Sequence, residues 1–438
     1  MKSKKKILLV FILVMLASYN PSALHRSDLI TAKLVPENIR LSNSLSSGKE
    51  FASVEKTVKS FMRKWSIAGA SISISVDGRL VYAHGFGYAD TTTREEVQPY
   101  HKFRIASISK LITGIAVMSL VEEGKLSLND RVFGPDAILS DPWFSNPRDK
   151  RVYGITVGHL LSHEGGWTQR WGDQMFMPVI IAENMGVKPP ADTRTIIRYA
   201  LDKRLHFTPG TGRAYSNLGY SILGLVIEKV SGTTYEDYCR KHVLEPVGIY
   251  DMTIARNLPS GKAPFEVTYY TPADVPPKPS IYGTGELVSP AYGGNDIEAL
   301  GAAGAWIATS PDLIRLMLAV DGFTSHDDIL SQESIEIMTD NGKGYAPVGW
   351  KTTSYNGTWW RTGSFPGSAG IMKRQPDGVS WVVLFNSSAW NGPEIYTSIN
   401  NMMYRVLAQV KHWPEKDLFD NAPPLPLKTY LPEILTEK

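Results

Sequence analysis

The stretch FRIASISKLITGIAVMSLVEEG, from Phe103 to Gly124, decides the fold that we predict for this chain. Apolar residues surround most of the helix that it predicts, and a helix of that kind lies buried at the centre of a protein. Gly124 is expected to end the helix, because glycine readily adopts the left-handed conformation that closes helices. Ser107 and Lys110 stand at its start, three residues apart and therefore on one face.

A hydroxyl and an ammonium side by side at a helix N-terminus can make a serine nucleophilic. The lysine can exchange a proton with the hydroxyl, and the helix dipole favours negative charge near its first turn. Burial matters too, since removal from water lowers the pKa of a lysine. The spacing alone is weakly specific, because three other Ser-x-x-Lys matches lie in the N-terminal segments and on a surface helix: Ser3/Lys6, Ser46/Lys49 and Ser53/Lys56.

Composition indicates an ordinary globular protein. The chain has 438 residues, of which 43% are hydrophobic and 20% charged, and this length can bury a large core without disulfides. Its one cysteine, Cys239, cannot form an internal disulfide. The formal net charge is +3, but four lysines lie in the first six residues, so the rest of the chain is close to neutral. This balance does not favour nucleic acid as a partner.

Residues 1–23 are predicted to be a secretory signal peptide. Basic residues precede an apolar run from Ile7 to Ala17, and small and turn-forming residues follow it. The run is shorter than the roughly 20 residues that span a bilayer. We therefore expect a secreted or periplasmic protein with no stable membrane span after removal of the signal. An uncleaved anchor or a buried first helix is the alternative. Residues 24–48 are Ser-rich and are expected to form a loose leader.

Patterns on either side of the central helix predict strands near both ends of the chain. Ile72 and Ile74 alternate with serines, and Asp77-Gly78 predicts a hairpin turn into a second strand. Residues 359–386 predict strands again. Further helices are predicted at 49–65, 156–162, 193–201, 217–230, 311–320 and 393–412.

The simplest architecture is one antiparallel sheet built from both ends of the chain, flanked by helices, with an inserted helical domain. A cleft between two such lobes is a natural place for a site. The predicted main domain covers 49–412, with a sheet lobe from about 49–105 and 300–412 and a helical lobe from about 106–299. The Pro-rich tail, 413–438, is expected to strap across the surface or to be mobile.

Two further motifs follow Ser107 along the chain. Tyr215-Ser216-Asn217 is the only Tyr-x-Asn, at the point where a Pro-Gly loop enters a helix. A nearby ammonium favours the phenolate form of a tyrosine, and an asparagine can orient the lysine or hold a substrate amide. The other motif, Arg361-Thr362-Gly363-Ser364, is predicted on an edge strand. The backbone N–H groups of Ser107 and Ser364 could form the donor pair that an oxyanion needs.

In this order the three motifs resemble those of the serine β-lactamases and penicillin-binding proteins. The Tyr-x-Asn form is similar to that of class C β-lactamases, D-alanyl-D-alanine carboxypeptidases and related esterases. The phrases LLSHEGGW, FTPGTGRAYSNLGYSILGLVIEKVSG and AAGAWIATSPDLIRLM are also similar to phrases of this family, and the resemblance covers roughly 50–410. It implies a β-lactamase/transpeptidase-like fold of the α/β (α+β) class.

The resemblance also implies a role for each residue of the first two motifs. Ser107 would be the acylated nucleophile and Lys110 its proton partner. Tyr215 would be the general base for attack and for the deacylating water. Asn217 would support Lys110 or the substrate.

For the third motif, the resemblance implies contacts with the substrate. Arg361 and Thr362 would line the side that binds a carboxylate, with Gly363 as the small residue between them and Ser364, whose backbone would donate to the oxyanion. The β-lactamases of the family have lysine where this chain has Arg361. An arginine can bind a carboxylate through two hydrogen bonds, but it cannot exchange a proton, so we do not expect efficient β-lactam turnover.

The expected reaction is cleavage of an ester, amide or β-lactam carbonyl in a small-molecule or peptide substrate, without a cofactor. Esterase, β-lactamase and D-amino-acid peptidase stay open, because substrate choice depends on loops such as 258–300. A protein that is acylated but does not turn over, such as a sensor, is the alternative outside the enzymes. No Gly-x-Ser-x-Gly occurs, which excludes the nucleophile elbow of α/β-hydrolases.

Two other groups of residues have competing interpretations. His159 and His163 have a spacing that could bind a metal, but no third ligand is apparent, so a structural role is expected and no metal. Tryptophans at 167, 171, 350, 359 and 360 either line an apolar acyl pocket or belong to the core.

Overall fold

Both ends of the chain contribute strands to one antiparallel sheet, as the sequence predicted. The computed structural model describes residues 41–170, 172–388 and 394–420. The strands are β1 (Gly69–Val76), β2 (Arg79–Asp90), β3 (Glu95–Glu96), β4 (Phe103–Arg104), β5 (Thr253–Ile254), β6 (Lys278–Pro279), β7 (Leu287–Val288), β8 (Trp306–Ala308), β9 (Thr352–Thr353), β10 (Trp359–Phe365), β11 (Ser368–Arg374) and β12 (Val379–Phe385). Seven of them form the main sheet in the order β3-β2-β1-β12-β11-β10-β9.

The hairpin of β1 and β2 shows how the local sequence sets the sheet. Asp77 and Gly78 both have positive φ, 48° and 81°, which is the two-residue turn that matches the twist of paired strands. Along β1 the side chains of Ile72 and Ile74 enter one apolar core, while the serines between them lie on the opposite face. These serines are buried as well, and Ser71 and Ser73 both hydrogen bond to Ser310, at 2.8 and 2.7 Å.

Helices cover both faces of the sheet, and each of the six helices predicted around the central one is present with its ends shifted by a few residues. They are α1 (Ala52–Trp65), α2 (Ser109–Glu122), α3 (Val157–Leu161), α4 (Pro178–Met185), α5 (Thr193–Leu201), α6 (Asn217–Ser231), α7 (Tyr235–Cys239), α8 (Ile297–Leu300), α9 (Ser310–Leu318), α10 (Gln332–Thr339) and α11 (Glu394–Gln409). Helices α1 and α11 pack on one face with an apolar core of their own, and α2, α6 and α9 share a larger core on the other side.

Helix α2 is the buried central helix that the opening stretch predicted. Eleven of its fourteen residues are buried, and Gly124 just beyond it has a φ of 67°. The α-helix itself begins at Ser109, because a 3-10 turn over Ala106–Ile108 precedes it. Ser107 therefore lies in this turn, two residues before the α-helix begins.

A second, three-stranded sheet places this turn. β4 pairs with β8, and β8 pairs with β5, so residues from three distant parts of the chain meet directly before Ser107. The N–H of Ile105 continues the ladder by donating to the carbonyl of Trp306 at 3.0 Å. The position at which α2 begins is thus fixed by hydrogen bonds of this small sheet, outside the helix.

The expectation of a loose leader is wrong for its last residues, 41–48. The side chain of Asn43 accepts from the N–H of Gly85 at 2.7 Å and donates to the carbonyls of Gly85 and Val97 at 3.2 and 2.9 Å. It thereby provides hydrogen-bond partners for backbone groups of β2 and of the residue that follows β3. Leu41, close to it in the chain, is buried. The predicted signal peptide and residues 24–40 lie outside the described residues.

The first part of the Pro-rich tail packs on the sheet. Leu80 donates its N–H to the carboxylate of Asp417 at 3.1 Å, and its carbonyl accepts from the N–H of Leu418 at 2.9 Å. Leu418 is buried, so this segment straps across the surface as far as residue 420; the rest of the tail lies outside the described residues. Within the described part of the chain, no helix is long and apolar enough to cross a membrane.

The burial of α2 makes a prediction about stability. Ile115 is fully buried on α2, whereas Ile180 on α4 keeps 50% of its surface exposed. We expect Ile115→Ala to lower the free energy of unfolding by about 2–5 kcal/mol, because it removes apolar contacts and leaves a cavity. Ile180→Ala, the matched control, should change it by less than about 0.5 kcal/mol. Urea unfolding followed by circular dichroism measures both, and equal losses would contradict the central position of α2.

Candidate active site

The fold brings Ser107, Lys110, Tyr215, Asn217 and Arg361 together. Ser107 Oγ lies 2.6 Å from the hydroxyl of Tyr215, and Lys110 Nζ donates to the same Oγ at 3.3 Å. Ser107 follows Ala106, whose φ of 48° is unusual for a residue with a side chain. This turn lets the serine leave the end of β4 and face the loop that precedes α6.

Lys110 is the most deeply buried charged group of the site. None of its surface is exposed, and its ammonium donates to Ser107 Oγ, to Asn217 Oδ1 at 2.7 Å and to the carbonyl of Ala303. These three acceptors match its three N–H donors. Burial lowers the pKa of Lys110 to about 8; the nearby Tyr215 opposes this shift and the charge of Arg361 adds to it.

Tyr215 faces two cations. Arg361 donates to its hydroxyl at 3.3 Å, and the ammonium of Lys110 lies 5.0 Å from the centre of its ring. Burial of the hydroxyl end by itself would raise the pKa of Tyr215, but the charges of Lys110 and Arg361 outweigh it and lower the pKa to about 8. The residue as a whole keeps 39% of its surface exposed, so the phenol lies at the boundary between the buried cations and solvent.

Asn217 supports Lys110, which is one of the two roles that the resemblance implied. It is the first residue of α6 and is nearly buried. Its Oδ1 accepts from Lys110, and its Nδ2 donates to the carboxylate of Asp173 at 2.7 Å. Both ends of the amide are thus engaged inside the protein, and a contact with the substrate stays a prediction.

Asp173 is a site residue that the sequence analysis missed. One of its carboxylate oxygens accepts from Asn217, and the other accepts from the N–H of Met175, at the start of a 3-10 turn over Gln174–Phe176. Its negative charge acts on Lys110 and partly offsets the effect of burial on the pKa of that lysine. The available signal was an aspartate capping a short helical turn, a common pattern that does not single it out.

Arg361 does not line an open carboxylate site, and that expectation needs correction. The residue is 2% exposed. Nε donates to the carbonyl of Ser107 at 2.8 Å, and one terminal nitrogen donates to the carbonyl of Trp350 at 3.1 Å. The other terminal nitrogen donates to Tyr215. All three nitrogens therefore have partners inside the protein.

Gly363 permits β10 to pass directly beside Ser107. A Cβ at this position would stand 2.1 Å from the carbonyl oxygen of Ile105 and 3.0 Å from the nitrogen of Ser107, and no side chain fits there. Thr362 is nearly buried, and Ser364, the next residue after the glycine, is exposed. The structure therefore places the backbone of the third motif against the Ser107 turn.

The two histidines of the sequence analysis have structural roles. His159 caps the start of α3 by accepting from Thr156. His163 is enclosed by the rings of Tyr215 and Tyr220, and burial first, then the charges of Arg361 and Lys110, hold its pKa well below the usual range. Among the described residues, no group of three or more His, Cys, Asp or Glu could hold a metal ion.

The sequence is similar to those of known proteins. The family model described as "Beta-lactamase" matches residues 54–401. A curated relative, Protein flp from Staphylococcus aureus (strain N315), is 29% identical over 194 residues, which are 44% of this chain and 36% of that protein. The chain thus aligns with about a third of the length of the curated relatives that it matches.

Solved structures show the same fold. The octameric penicillin-binding protein homologue from Pyrococcus abyssi is similar with a TM-score of 0.59 and 28% identity, covering 83% of this chain and 78% of that one. D-amino acid amidase from Ochrobactrum anthropi SV3 is similar with a TM-score of 0.62 and 22% identity, covering 82% of this chain and 98% of that one. The predicted β-lactamase/transpeptidase-like fold is confirmed, and since the family model matches well over half of the sequence, this chain belongs to the β-lactamase family.

Proposed function

We propose that this chain is a serine hydrolase that forms an acyl-enzyme on Ser107. One observation supports the proposal above all: the Ser107 hydroxyl is hydrogen bonded both to Tyr215 and to the buried ammonium of Lys110. A hydroxyl with a base on one side and a fixed positive charge on the other is the arrangement that nucleophilic catalysis needs. The substrate is an ester, an amide or a β-lactam, and we propose that the protein acts after export from the cytoplasm.

In the acylation step, Tyr215 acts as the base in its phenolate form. Ser107 Oγ attacks the carbonyl carbon while its proton moves to the phenolate oxygen 2.6 Å away. The tetrahedral intermediate then collapses, the bond to the leaving group breaks, and the leaving group takes the proton from Tyr215. Lys110 keeps its charge near both oxygens throughout, since Asn217 and Ala303 hold its ammonium in place.

Deacylation uses the same groups in reverse. A water molecule replaces the leaving group, Tyr215 takes one of its protons, and the resulting oxygen attacks the acyl carbon. The bond to Ser107 Oγ then breaks, and this oxygen regains its proton from Tyr215. The product is a carboxylic acid, and the enzyme returns to its initial protonation state.

The backbone of the third motif supplies the remaining element of this mechanism. We propose that the N–H groups of Ser107 and Ser364 bind the oxyanion of the tetrahedral intermediate. The close approach of Gly363 to the Ser107 nitrogen supports this, because it sets β10 beside the carbon under attack. Thr362 and the exposed side chain of Ser364 then border the substrate.

The choice among esters, amides and lactams is open to a direct assay. Nitrocefin, a short-chain ester, a D-amino acid amide and a D-Ala-D-Ala peptide cover the classes. Steady turnover of at least one of them is expected from a hydrolase. A single stoichiometric burst on all of them would instead favour the alternative of a protein that is acylated but not regenerated.

The nucleophile assignment predicts the effect of Ser107→Ala. The variant should lose at least about 10³-fold in kcat, because it removes the atom that forms the covalent bond. The matched control is Ser53→Ala, which removes the exposed serine of another Ser-x-x-Lys match on α1 and should leave kcat unchanged. Mass spectrometry after reaction with an activated phosphonate should locate the adduct on Ser107. Retained turnover, or label on a different serine, would contradict the assignment.

The coupled pair of Tyr215 and Lys110 predicts a bell-shaped pH profile. The pKa of each group is lowered to about 8, and the active form carries one proton fewer than the fully protonated pair. We therefore expect kcat/KM to rise with pH as the pair loses its first proton and to fall as it loses the second, with a maximum near pH 8. Tyr215→Phe should abolish the rising limb along with most of the activity. A flat wild-type profile between about pH 6 and 10 would count against this pair.

The approach of β10 predicts the effect of Gly363→Ala. The added methyl would collide with the Ile105 carbonyl and push the strand away from Ser107, so we expect kcat to fall by about 10²-fold or more through loss of oxyanion binding. Gly154→Ala is the control, because a Cβ there meets nothing within 4 Å. An active Gly363→Ala variant with unchanged kcat would refute the proposed oxyanion site.

A further inference from the structure

We propose that Arg361 is a positioning residue for Tyr215 and Ser107 rather than an anchor for substrate, and that the site takes acyl compounds whose leaving group carries no carboxylate. This inference rests on the proposed function and specifies its substrate class. The contacts of one guanidinium support it.

The donors of Arg361 are engaged on both edges of the guanidinium. Two of its nitrogens donate to backbone carbonyls, those of Ser107 and Trp350, and the third donates to the hydroxyl of Tyr215. Bidentate binding of a carboxylate needs two parallel N–H groups on one edge. Three of the five N–H groups of Arg361 have these partners, and with 2% of the residue exposed the guanidinium presents almost no surface to a carboxylate.

The contact with the Ser107 carbonyl gives Arg361 a role in shaping the site. Ser107 lies in a turn whose preceding residue, Ala106, has a positive φ, so the turn depends on outside contacts to hold its conformation. The 2.8 Å bond from Arg361 Nε is such a contact, and it comes from β10, which passes beside this turn. The same side chain reaches Tyr215, so one residue sets the nucleophile and its base relative to each other.

Aromatic side chains contribute to the surface near Ser107. Phe176 is 36% exposed and its ring contacts that of Phe365 at 6.4 Å. The Phe365 ring also lies beside Gly304, and Gly304 lies beside Ala106: a Cβ added to this glycine would stand 3.7 Å from the carbonyl carbon of Ala106. Together with the exposed ring of Tyr215, these rings favour an apolar, uncharged substrate. Trp350 and Trp359, by contrast, are core residues and do not form the acyl pocket that the sequence left open.

The nearby exposed cations have other contacts. Lys351, beside β9, lies over the ring of Trp360 at 5.1 Å, and Arg213 forms an ion pair with Glu164 at 3.0 Å. Of these two cations, Lys351 has electrostatic interactions with both Tyr215 and Arg361. It therefore serves as the second variant in the test of carboxylate recognition.

The substrate class is tested with two aryl esters that differ only in a meta-carboxylate on the phenol leaving group. For the wild-type protein we expect kcat/KM of the carboxylated ester to equal that of the neutral ester or to be lower. Arg361→Gln should lower kcat/KM of both esters by about ten-fold or more and leave their ratio unchanged. A preference of about ten-fold or more for the carboxylated ester, lost in Arg361→Gln or in Lys351→Gln, would overturn the proposal.

The positioning role has a readout that does not depend on turnover. Near-ultraviolet absorbance follows phenolate formation, and the difference between wild type and Tyr215→Phe isolates Tyr215. The titratable and charged groups near this phenol are Lys110 on α2, Arg361 on β10, His163 after α3, Tyr220 on α6, Lys351 beside β9 and Tyr396 on α11. Because the charge of Arg361 lowers the pKa of Tyr215, Arg361→Gln should raise that pKa by about one or more. Arg361→Lys, which keeps the charge, should restore much of the shift.

The outcomes distinguish a failure of the proposed function from a failure of the proposed role of Arg361. If the folded wild-type protein turns over neither ester and none of nitrocefin, the D-amino acid amide and the D-Ala-D-Ala peptide, the proposed function fails, while the absorbance titration still tests the role of Arg361. An unchanged Tyr215 titration in a folded Arg361→Gln variant would refute the positioning role, even if Ser107 proves to be the nucleophile. Thermal unfolding of each variant shows whether it is folded under the assay conditions.

Discussion

The site depends on one constraint: the ammonium of Lys110 must be held as a charge where no water reaches it. Moving a charge into the protein interior is costly unless every donor finds an acceptor. Lys110 meets this condition with one hydroxyl, one amide oxygen and one backbone carbonyl, none of which carries a formal charge. The lysine is thereby fixed in position, while its pKa falls toward neutrality. The acceptors come from three separate parts of the chain, and this explains why so much of the fold converges on the start of α2.

The topology brings these parts together because both ends of the chain complete the same sheet. β10 lies three places from β1 of the N-terminal hairpin in the strand order, yet it is the strand that passes beside Ser107. The helical residues between the two ends supply Tyr215 and Asn217 through the start of α6. Gly363 then lets β10 lie directly against the Ser107 turn.

The sequence predicted the parts of this arrangement that depend on local patterns. Ser107, Lys110 and Tyr215 lie in short motifs whose helical or loop context could be inferred, and the hairpin followed from alternation and the Asp77-Gly78 turn. The contacts of Arg361 could not be predicted, because they depend on the carbonyl of Trp350 and on a turn that only the folded chain forms. Asp173 was missed for a related reason: it reaches Asn217 from a loop without periodicity. Similarly, the alternation in β1 identified a strand but not the burial of its serine face.

The electrostatic balance of the site suggests where negative charge is expected during the reaction. Two buried cations, Lys110 and Arg361, face one phenol oxygen, and neither forms an ion pair with a carboxylate within the described part of the chain; Asp173 hydrogen bonds to Asn217, and its charge acts on Lys110 across that amide. Such an excess of positive charge is stabilised by an anion on Tyr215 or on Ser107. The field that lowers the pKa of the tyrosine is therefore the same field that stabilises the proton transfer from serine and the charge that follows it. Because the protein holds both cations in place before any substrate binds, little reorganisation is needed when that charge develops. A carboxylate on the substrate would compete with the phenolate for these cations, and this is a physical reason for a site of this design to favour neutral substrates.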